Sequence, residues 1–209
     1  MSKPGLILIG AGGHAHACID VVEQHGGYQI AGLIGLPHEV NAKHLGYEVI
    51  GTDNSLPQLV KTCPYALITL GQIQTPDHRI RLFQTVQNLG FQLPVFIAPS
   101  AHVSHHATIG SGTVVMHGAI VNAGSRVGKN CIINSQALIE HDVTVADNCH
   151  ISTGAIINGG VTIQMGCFVG SGTILKEGIT IGEFCVLGMG LAVRQSQPDH
   201  TKSIKSAQP

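Results

Sequence analysis

Thirteen histidines in a chain of 209 residues supply its most versatile chemistry. His102, His105, His106, His117, His141 and His150 all fall between residues 97 and 193. Two of them belong to a run rich in acids and amides, Asn134-Ser135-Gln136-Ala137-Leu138-Ile139-Glu140-His141-Asp142, which Asn148-Cys149-His150 follows. An imidazole titrates near neutral pH, so it can take a proton from an attacking amine or hydroxyl. An adjacent carboxylate raises its basicity and fixes its tautomer. A second imidazole or a glycine amide can hydrogen-bond a thioester carbonyl as negative charge develops on its oxygen. His141 beside Asp142, with His150 nearby in sequence, therefore has the residue types that acyl transfer needs. The other four histidines are read as ordinary surface residues.

A second chemical feature lies near the start. The apolar strand Leu6 to Ile9 runs into Gly10-Ala11-Gly12-Gly13-His14, and a helical stretch follows from about His14 to His25. Glycines at a strand-to-helix turn let backbone approach a diphosphate, whose charge the first helical amides favour. A nicotinamide site would add an acidic residue at the end of the second strand for a ribose hydroxyl. Ile34-Gly35-Leu36 stands there instead, so the turn reads as a nucleotide-diphosphate site rather than a redox-cofactor site.

The elements that must hold these residues differ between the two halves. From Ile97, steps of six reach Val103, Ile109, Val115, Val121, Val127, Ile133, Ile139, Val145, Ile151, Ile157, Ile163, Val169, Leu175, Ile181, Leu187 and Val193, aliphatic at every stop. Four residues beyond most stops lies a small side chain, such as Ala101, Thr113, Ser125 or Cys149. A helix would repeat every 3.6 residues and a plain hairpin sheet would break phase at its turns. A six-residue unit of short strand and turn winds instead as a parallel β-helix, three units to a coil. Cys131, Cys149, Cys167 and Cys185 are each 18 residues apart, which matches one coil and predicts a buried ladder. Small reduced thiols suit prism corners, and no CxxC spacing points to zinc. By phase, His141 and His150 both project outward from the prism. Cys18 and Cys63 read as buried thiols outside the repeat.

Residues 1 to 95 alternate strand and helix: further strands are expected at Ile30 to Ile34, Tyr47 to Ile50 and Ala66 to Leu70, and a helix from Thr75-Pro76 to Gly90. That alternation implies a small, mostly parallel, Rossmann-like α/β sheet. The expected domains are 1–95, 96–195 and a polar, mobile tail over 196–209. With 44% hydrophobic and 11% charged residues and a net charge of −1, the chain is folded and lacks the basic excess for nucleic acid or an anionic membrane surface. No apolar run reaches spanning length and no signal-peptide pattern opens the chain, which predicts a cytoplasmic protein.

The pattern aliphatic-Gly-x-x-small-x over residues 97 to 193, with the motif around His141, resembles the hexapeptide-repeat sugar O-/N-acyltransferases of the PglD/NeuD-like type. This family is typified by bacillosamine-pathway UDP-amino-sugar N-acetyltransferases and sialic acid O-acetyltransferases. The resemblance implies a left-handed β-helix, a homotrimer with sites between adjacent prisms, acetyl-CoA as co-substrate and no metal. It places the general base on His141 with Asp142 as its acidic neighbour, and the acetyl-group contact on His150. Gly159, Ser171, Gly188 and Met189 fall on the acetyl-CoA groove. Gly12, Gly13, His14, Gly71 and Asn134 fall on the substrate side.

The reaction so implied is N-acetylation of a UDP-linked 4-amino-4,6-dideoxy sugar for a surface glycan. Sugar O-acetylation, as on sialic acid, is the alternative. A γ-carbonic-anhydrase-like zinc enzyme and a non-catalytic sugar-nucleotide binder are weaker ones. The sequence departs from the family in two places. Gly35 and Leu36 stand where acids usually contact the nucleotide, and the end lacks the usual Gly-x-Pro-Ala-Lys close. Lys202 and Lys205 are read as solvated tail residues rather than CoA-phosphate ligands.

Overall fold

The computed structural model describes residues 3 to 203. In the first domain β1 (Gly5–Ile9), β2 (Gln29–Ile34), β4 (Tyr47–Gly51) and β5 (Tyr65–Ile68) form a parallel sheet, and β3 (Lys43–His44) pairs antiparallel with β4 at one edge, in the order β3-β4-β2-β1-β5. Helix α1 (Gly13–His25) and the later α2 (Leu56–Leu59) and α3 (Asp77–Asn88) complete the α/β layers. The expected strands and helices are present with ends shifted by one or two residues; the hairpin strand β3 and the short α2 carry no periodic signal long enough to read.

From Phe96–Ile97 onward the chain is a three-sided parallel β-helix of two-residue strands, each up to Ala192–Val193 paired with the strand 18 residues away. Its interior is the predicted aliphatic ladder, from Val115 through Ile139 and Ile157 to Leu187. The thiols of Cys131, Cys149 and Cys167 are buried and donate to the carbonyls of Ala146, Gln164 and Gly182 at 3.2, 3.1 and 2.9 Å. Ser125 and Thr173 make the same link with hydroxyls to Glu140 and Gly188, at 2.6 Å each. Where the small corner residue is Cys, Ser or Thr, it thus also ties one coil to the next.

One residue per turn carries the bend. From Gly112 to Gly190 every sixth residue has positive φ, glycine at most stops but Asn130, Gln136, Asp142, Asn148 and Phe184 at the others. The left-handed region is costly for most side chains and cheap for glycine, which accounts for much of the glycine content.

The three sides differ outside. The third side presents Thr108, Arg126, Thr144, Thr162 and Thr180, a solvated row. On the second side, Ile120, Leu138, Ile156, Ile174 and Ala192 stand in register, with Ile120 38% and Ile174 42% exposed. The first domain packs on the first side, where Phe96, Val114 and Ile132 share one buried cluster with Leu8, Ala15 and Ile19.

Over residues 197 to 203, the polar stretch expected as a tail is part of the prism instead. Gln197 bridges to Ile181, Lys202–Ser203 pairs with Val186–Leu187, and the Asp199 carboxylate accepts the Glu183 amide at 2.8 Å. Backbone pairing with the last aliphatic coil outweighs the polar composition of this segment. Lys202 is an exposed strand residue; Lys205 lies outside the described residues. No helix among the described residues is long and apolar enough to cross a membrane.

Candidate active site

The glycine turn opens into a cavity of about 530 Å³ bounded by Gly10, Ala11, Gly12, Leu36, Asp53 and His78 among others. Gly10 has φ 117° and a Cβ there would lie 2.9 Å from the Leu70 amide, so the crossing of β1 and β5 requires glycine at this position. At Gly12 and Gly13 a Cβ would meet nothing within 4 Å, which leaves the start of α1 open to an approaching group. That helix begins without a side-chain cap or an acidic residue in its first turn, a favourable setting for an anion.

The position of the missing acid after β2 is closely bounded by its neighbours. A Cβ on Gly35 would lie 2.7 Å from Glu39 Oε2 and 3.0 Å from Val49. Glu39 fills that space and accepts the Leu36 amide at 2.7 Å. Asp53 and Asn54, which follow β4, bring polar groups to the same cavity. Sequence reasoning overlooked them; the signal was the polar run Thr52-Asp53-Asn54-Ser55 directly after a strand of the parallel sheet, where such sheets bind ligands.

Gly71 and His14 meet at the interface with the prism, a Cβ on Gly71 lying 3.7 Å from that of His14. The His14 ring is 6.5 Å from that of His150, and its Nε2 is 3.4 Å from Cys18 Sγ. His150 projects from the prism as expected, but the first domain covers it and it is only 6% exposed. Its Nδ1 lies 2.6 Å from the Gln72 carbonyl, so Nδ1 carries the proton. Nε2 then accepts the Asn134 amide at 3.1 Å, an orientation fixed by the Ser135 amide on Asn134 Oδ1 at 2.8 Å. Burial first, then the Arg79 cation, lowers His150 to about 4. Burial, Arg79 and His150 lower His14 to about 3. Both rings are neutral, and the single N–H of His150 is committed to Gln72 rather than offered to a thioester carbonyl.

His141 occupies another corner, in the turn between the strands Leu138–Ile139 and Thr144–Val145. Its Nδ1 is 3.0 Å from Asp142 Oδ2, and the two side chains are 67% and 72% exposed. Asp142 is the left-handed residue of this corner, with φ 59°, which swings its carboxylate back onto the preceding ring. With Nδ1–H donated to the carboxylate, Nε2 holds the free lone pair. That atom hangs over Gly159, where a Cβ would come within 2.7 Å of it. The Gly159 amide has no acceptor within the chain among the described residues. Glu140, Asn158, Glu177 and Gly178 complete a shallow groove around the pair. A base with an oriented tautomer, a free amide beside it and open space above can accept a proton while an oxyanion forms next to it.

The first domain matches the PglD N-terminal domain over residues 5–85. The prism matches the bacterial transferase hexapeptide over 124–159 and the hexapeptide repeat of succinyl-transferase over 160–195. The fold superimposes on PerB, the perosamine N-acetyltransferase of Caulobacter crescentus solved with CoA and GDP-perosamine, with TM-score 0.90, 31% identity, and 98% of this chain and 95% of that one covered. The chain belongs to the PglD-like sugar acyltransferases. The acetyltransferase domain of PglB from Neisseria gonorrhoeae, solved with acetyl coenzyme A, gives TM-score 0.88 at 30% identity over 96% of both chains. WeeI from Acinetobacter baumannii shares the fold, with TM-score 0.83 at 19% identity over 96% of this chain and 97% of that one. No curated protein sequence matches. The β-helix is accordingly left-handed, as in its PglD-like relatives.

Within this PglD-like chain the expected site residues of the prism separate into two groups. Asn134, Ser171, Gly188 and Met189 lie at the corners between the first and second sides, alongside His150, with Ser152 Oγ 2.9 Å from Ser171 Oγ and Met189 exposed. His141, Asp142 and Gly159 lie at the corners between the second and third sides. No hydrogen bond joins the two groups among the described residues, and the apolar second side stands between them. No cluster of three or more His, Cys, Asp or Glu is placed to hold a metal ion among the described residues.

Proposed function

We propose that the protein moves an acetyl group from acetyl-CoA to the amine of a nucleotide-activated amino sugar, a UDP-linked 4-amino-4,6-dideoxy sugar, with His141 as general base. Family membership makes it a sugar N-acetyltransferase that uses acetyl-CoA; the nucleotide, the sugar and the roles of residues are this reading's own. The observation that carries it is the His141–Asp142 pair at 3.0 Å, with Nε2 aimed over Gly159.

The neutral amine attacks the thioester carbonyl, forming the C–N bond, while its proton passes to His141 Nε2. Asp142 stabilises the resulting imidazolium. The Gly159 amide donates to the developing oxyanion, a role that the committed N–H of His150 leaves open. Collapse of the intermediate breaks the C–S bond, and the imidazolium returns a proton to the departing CoA thiolate. His150, neutral and fixed, abuts the acetyl group without exchanging protons. Gly12, Gly13, His14 and Gly71 hold the sugar nucleotide, and Ser171, Gly188 and Met189 hold the CoA arm.

The groove around His141 is open in a single chain, and the second side carries an uncovered aliphatic row. Closed symmetric assembly buries such a row and brings a second set of corners to His141. The working unit is therefore proposed to be a homotrimer.

The test is a thiol-release assay with acetyl-CoA and a panel of UDP- and GDP-linked 4-amino sugars and free sialic acid. Turnover of a UDP-4-amino sugar, lowered about 10²-fold or more in His141→Ala, is expected. Near wild-type turnover in that variant, or preference for sialic acid, would overturn the reading.

A further inference from the structure

The segment after β5 passes between the domains and is gripped from both. The Gln72 carbonyl meets His150 Nδ1, while the buried Gln72 side chain donates Nε2 to the carbonyls of Cys167 and Gly166 at 3.3 and 3.4 Å, one coil further along the prism. Two residues earlier the grip comes from α3. Arg79 is 1% exposed, and its Nη1 donates to the carbonyls of Leu70 and Ile68 at 2.7 and 3.0 Å. Its Nε donates to Asn130 in the prism at 3.3 Å. Asn130 in turn sends its side-chain amide to Asn148, two residues before His150, at 2.8 Å.

This arrangement is expensive as mere packing. A buried guanidinium without a carboxylate loses its hydration with no counter-charge in return. No acid pairs with Arg79 among the described residues; burial pulls it down to about 10, so it stays a cation at neutral pH. Arg79 Nη2 and Gln72 Oε1 have no hydrogen-bond partner. A hydrophobic side chain would fill the same volume at lower cost. What it could not do is hold two successive inward-facing carbonyls of the 68–72 segment and a carbonyl of the prism at once.

We propose that Gln72 and Arg79 are positioning residues for the acyl transfer, a latch that holds the Gln72 carbonyl on His150 and so fixes the ring in its Nδ1–H tautomer. The inference rests on the proposed role of His150 beside the acetyl group. The latch joins the two half-sites mechanically: Gly71, expected on the sugar nucleotide, lies between the residue whose carbonyl Arg79 grips and the one whose carbonyl binds His150. The charged and titratable groups facing the ring are Arg79 from α3 and His14 from α1, with Phe168 packed edge-on from the prism. Arg79 therefore also opposes protonation of both imidazoles through its field.

The test compares Gln72→Ala, Arg79→Met and Arg79→Lys as intact, folded protein, using nitrogen-15 spectra of the imidazoles with His150→Asn to assign the signal. In the wild type His150 is expected to show the Nδ1–H tautomer and no protonation above pH 5. In Gln72→Ala and Arg79→Met it is expected to lose that tautomer preference; its titration should rise in Arg79→Met, where the opposing cation is gone, and not in Gln72→Ala, where a bond that favours the protonated ring is weakened. The turnover number should fall about 10-fold or more, with KM for the sugar nucleotide within about 2-fold, because a misplaced group slows chemistry more than binding. Arg79→Lys, which keeps the charge but loses the fork, should retain the suppressed titration and recover part of the rate. Folded variants whose His150 signal and pH–rate profile match the wild type would overturn the proposal. Should Arg79→Met not fold, Gln72→Ala alone decides it, since that change leaves the carbonyl and removes only its anchor. The spectra need no turnover, so they report on the latch even if the wild type fails to acetylate any sugar in the panel.

Discussion

At the scale of single residues, the two conspicuous imidazoles sit in opposite environments. His141 is exposed, has one nitrogen on a carboxylate and keeps the other free. His150 is buried with both nitrogens engaged. The free nitrogen depends on an absent methyl group: a Cβ on Gly159 would lie 2.7 Å from His141 Nε2 and Cε1. Gly159→Ala needs no unusual backbone, so the expected result is a folded protein with a displaced base. Its turnover should drop about 10-fold or more while the melting temperature moves little, as kinetics and calorimetry on one preparation would show. The buried pair has a thermodynamic consequence. His14 and His150 are depressed to about 3 and about 4 from 6.5, chiefly by desolvation, so above pH 6.5 both are neutral folded or unfolded. Below 6.5 the unfolded chain takes up protons that the fold refuses, and stability is lost down to the folded values. The loss should approach about 1.4 kcal/mol per pH unit for each ring in that window. Denaturant titrations from pH 7 to pH 4 should show this slope diminished in His150→Asn; an unchanged slope would place the linkage elsewhere.

At the scale of elements, the coil is legible from sequence because its inner positions obey a fixed phase. Any step of six from Ile97 must land inside, so Val115, Ile139 and Leu187 declare themselves. The cysteine spacing confirms the coil length for the same reason. The corner chemistry was less visible: Asp142 and Phe184 take the left-handed conformation that glycine takes at neighbouring stops, and only the backbone shows it. Burial of His150 was invisible because it comes from Gln72, 78 residues away in sequence. Arg79 and Gln72 escaped notice since a lone Arg or Gln in an amphipathic stretch ordinarily faces solvent. The last coil carries no aliphatic signal because Gln197 to Ser203 joins the prism through backbone pairing and the Asp199 carboxylate rather than through an apolar row. The corner links yield their own prediction. Cys149 donates to Gln164 O at 3.1 Å where Ser125 and Thr173 use hydroxyls for the equivalent bond. Cys149→Ser can keep that bond and should cost less than Cys149→Ala, which loses both the bond and the sulfur's volume, about 1–2 kcal/mol by denaturant unfolding. The reverse order would mean that the thiol packs without bonding.

At the scale of the whole molecule, the proposed homotrimer would make each chain half of two sites. The corner with His141 and Asp142 faces away from the corner with Asn134, Ser171 and Met189, and the row Ile120, Leu138, Ile156 and Ile174 separates them. If that row packs against a second copy, the base of one chain faces the acetyl pocket of its neighbour, and neither chain alone completes a site. Two inactive variants then become a diagnostic. His141→Ala lacks the proposed base, and His150→Ala lacks the proposed acetyl contact on the other half. In a closed ring of three, any mixed trimer contains one interface where an intact His141 meets an intact His150. Random assembly puts about three quarters of the trimers in mixed form with about one good site in three. Co-refolding equal amounts should therefore restore about one quarter of wild-type activity per chain. Were the site contained within one chain, every chain in the mixture would carry a defect in its only site and mixing would restore nothing. The same outcome separates a surface row that merely tolerates exposure from one that assembles the enzyme. A charge placed on it, as in Ile156→Asp, should leave the circular dichroism of the prism intact, convert the trimer to single chains in sedimentation, and abolish the recovery.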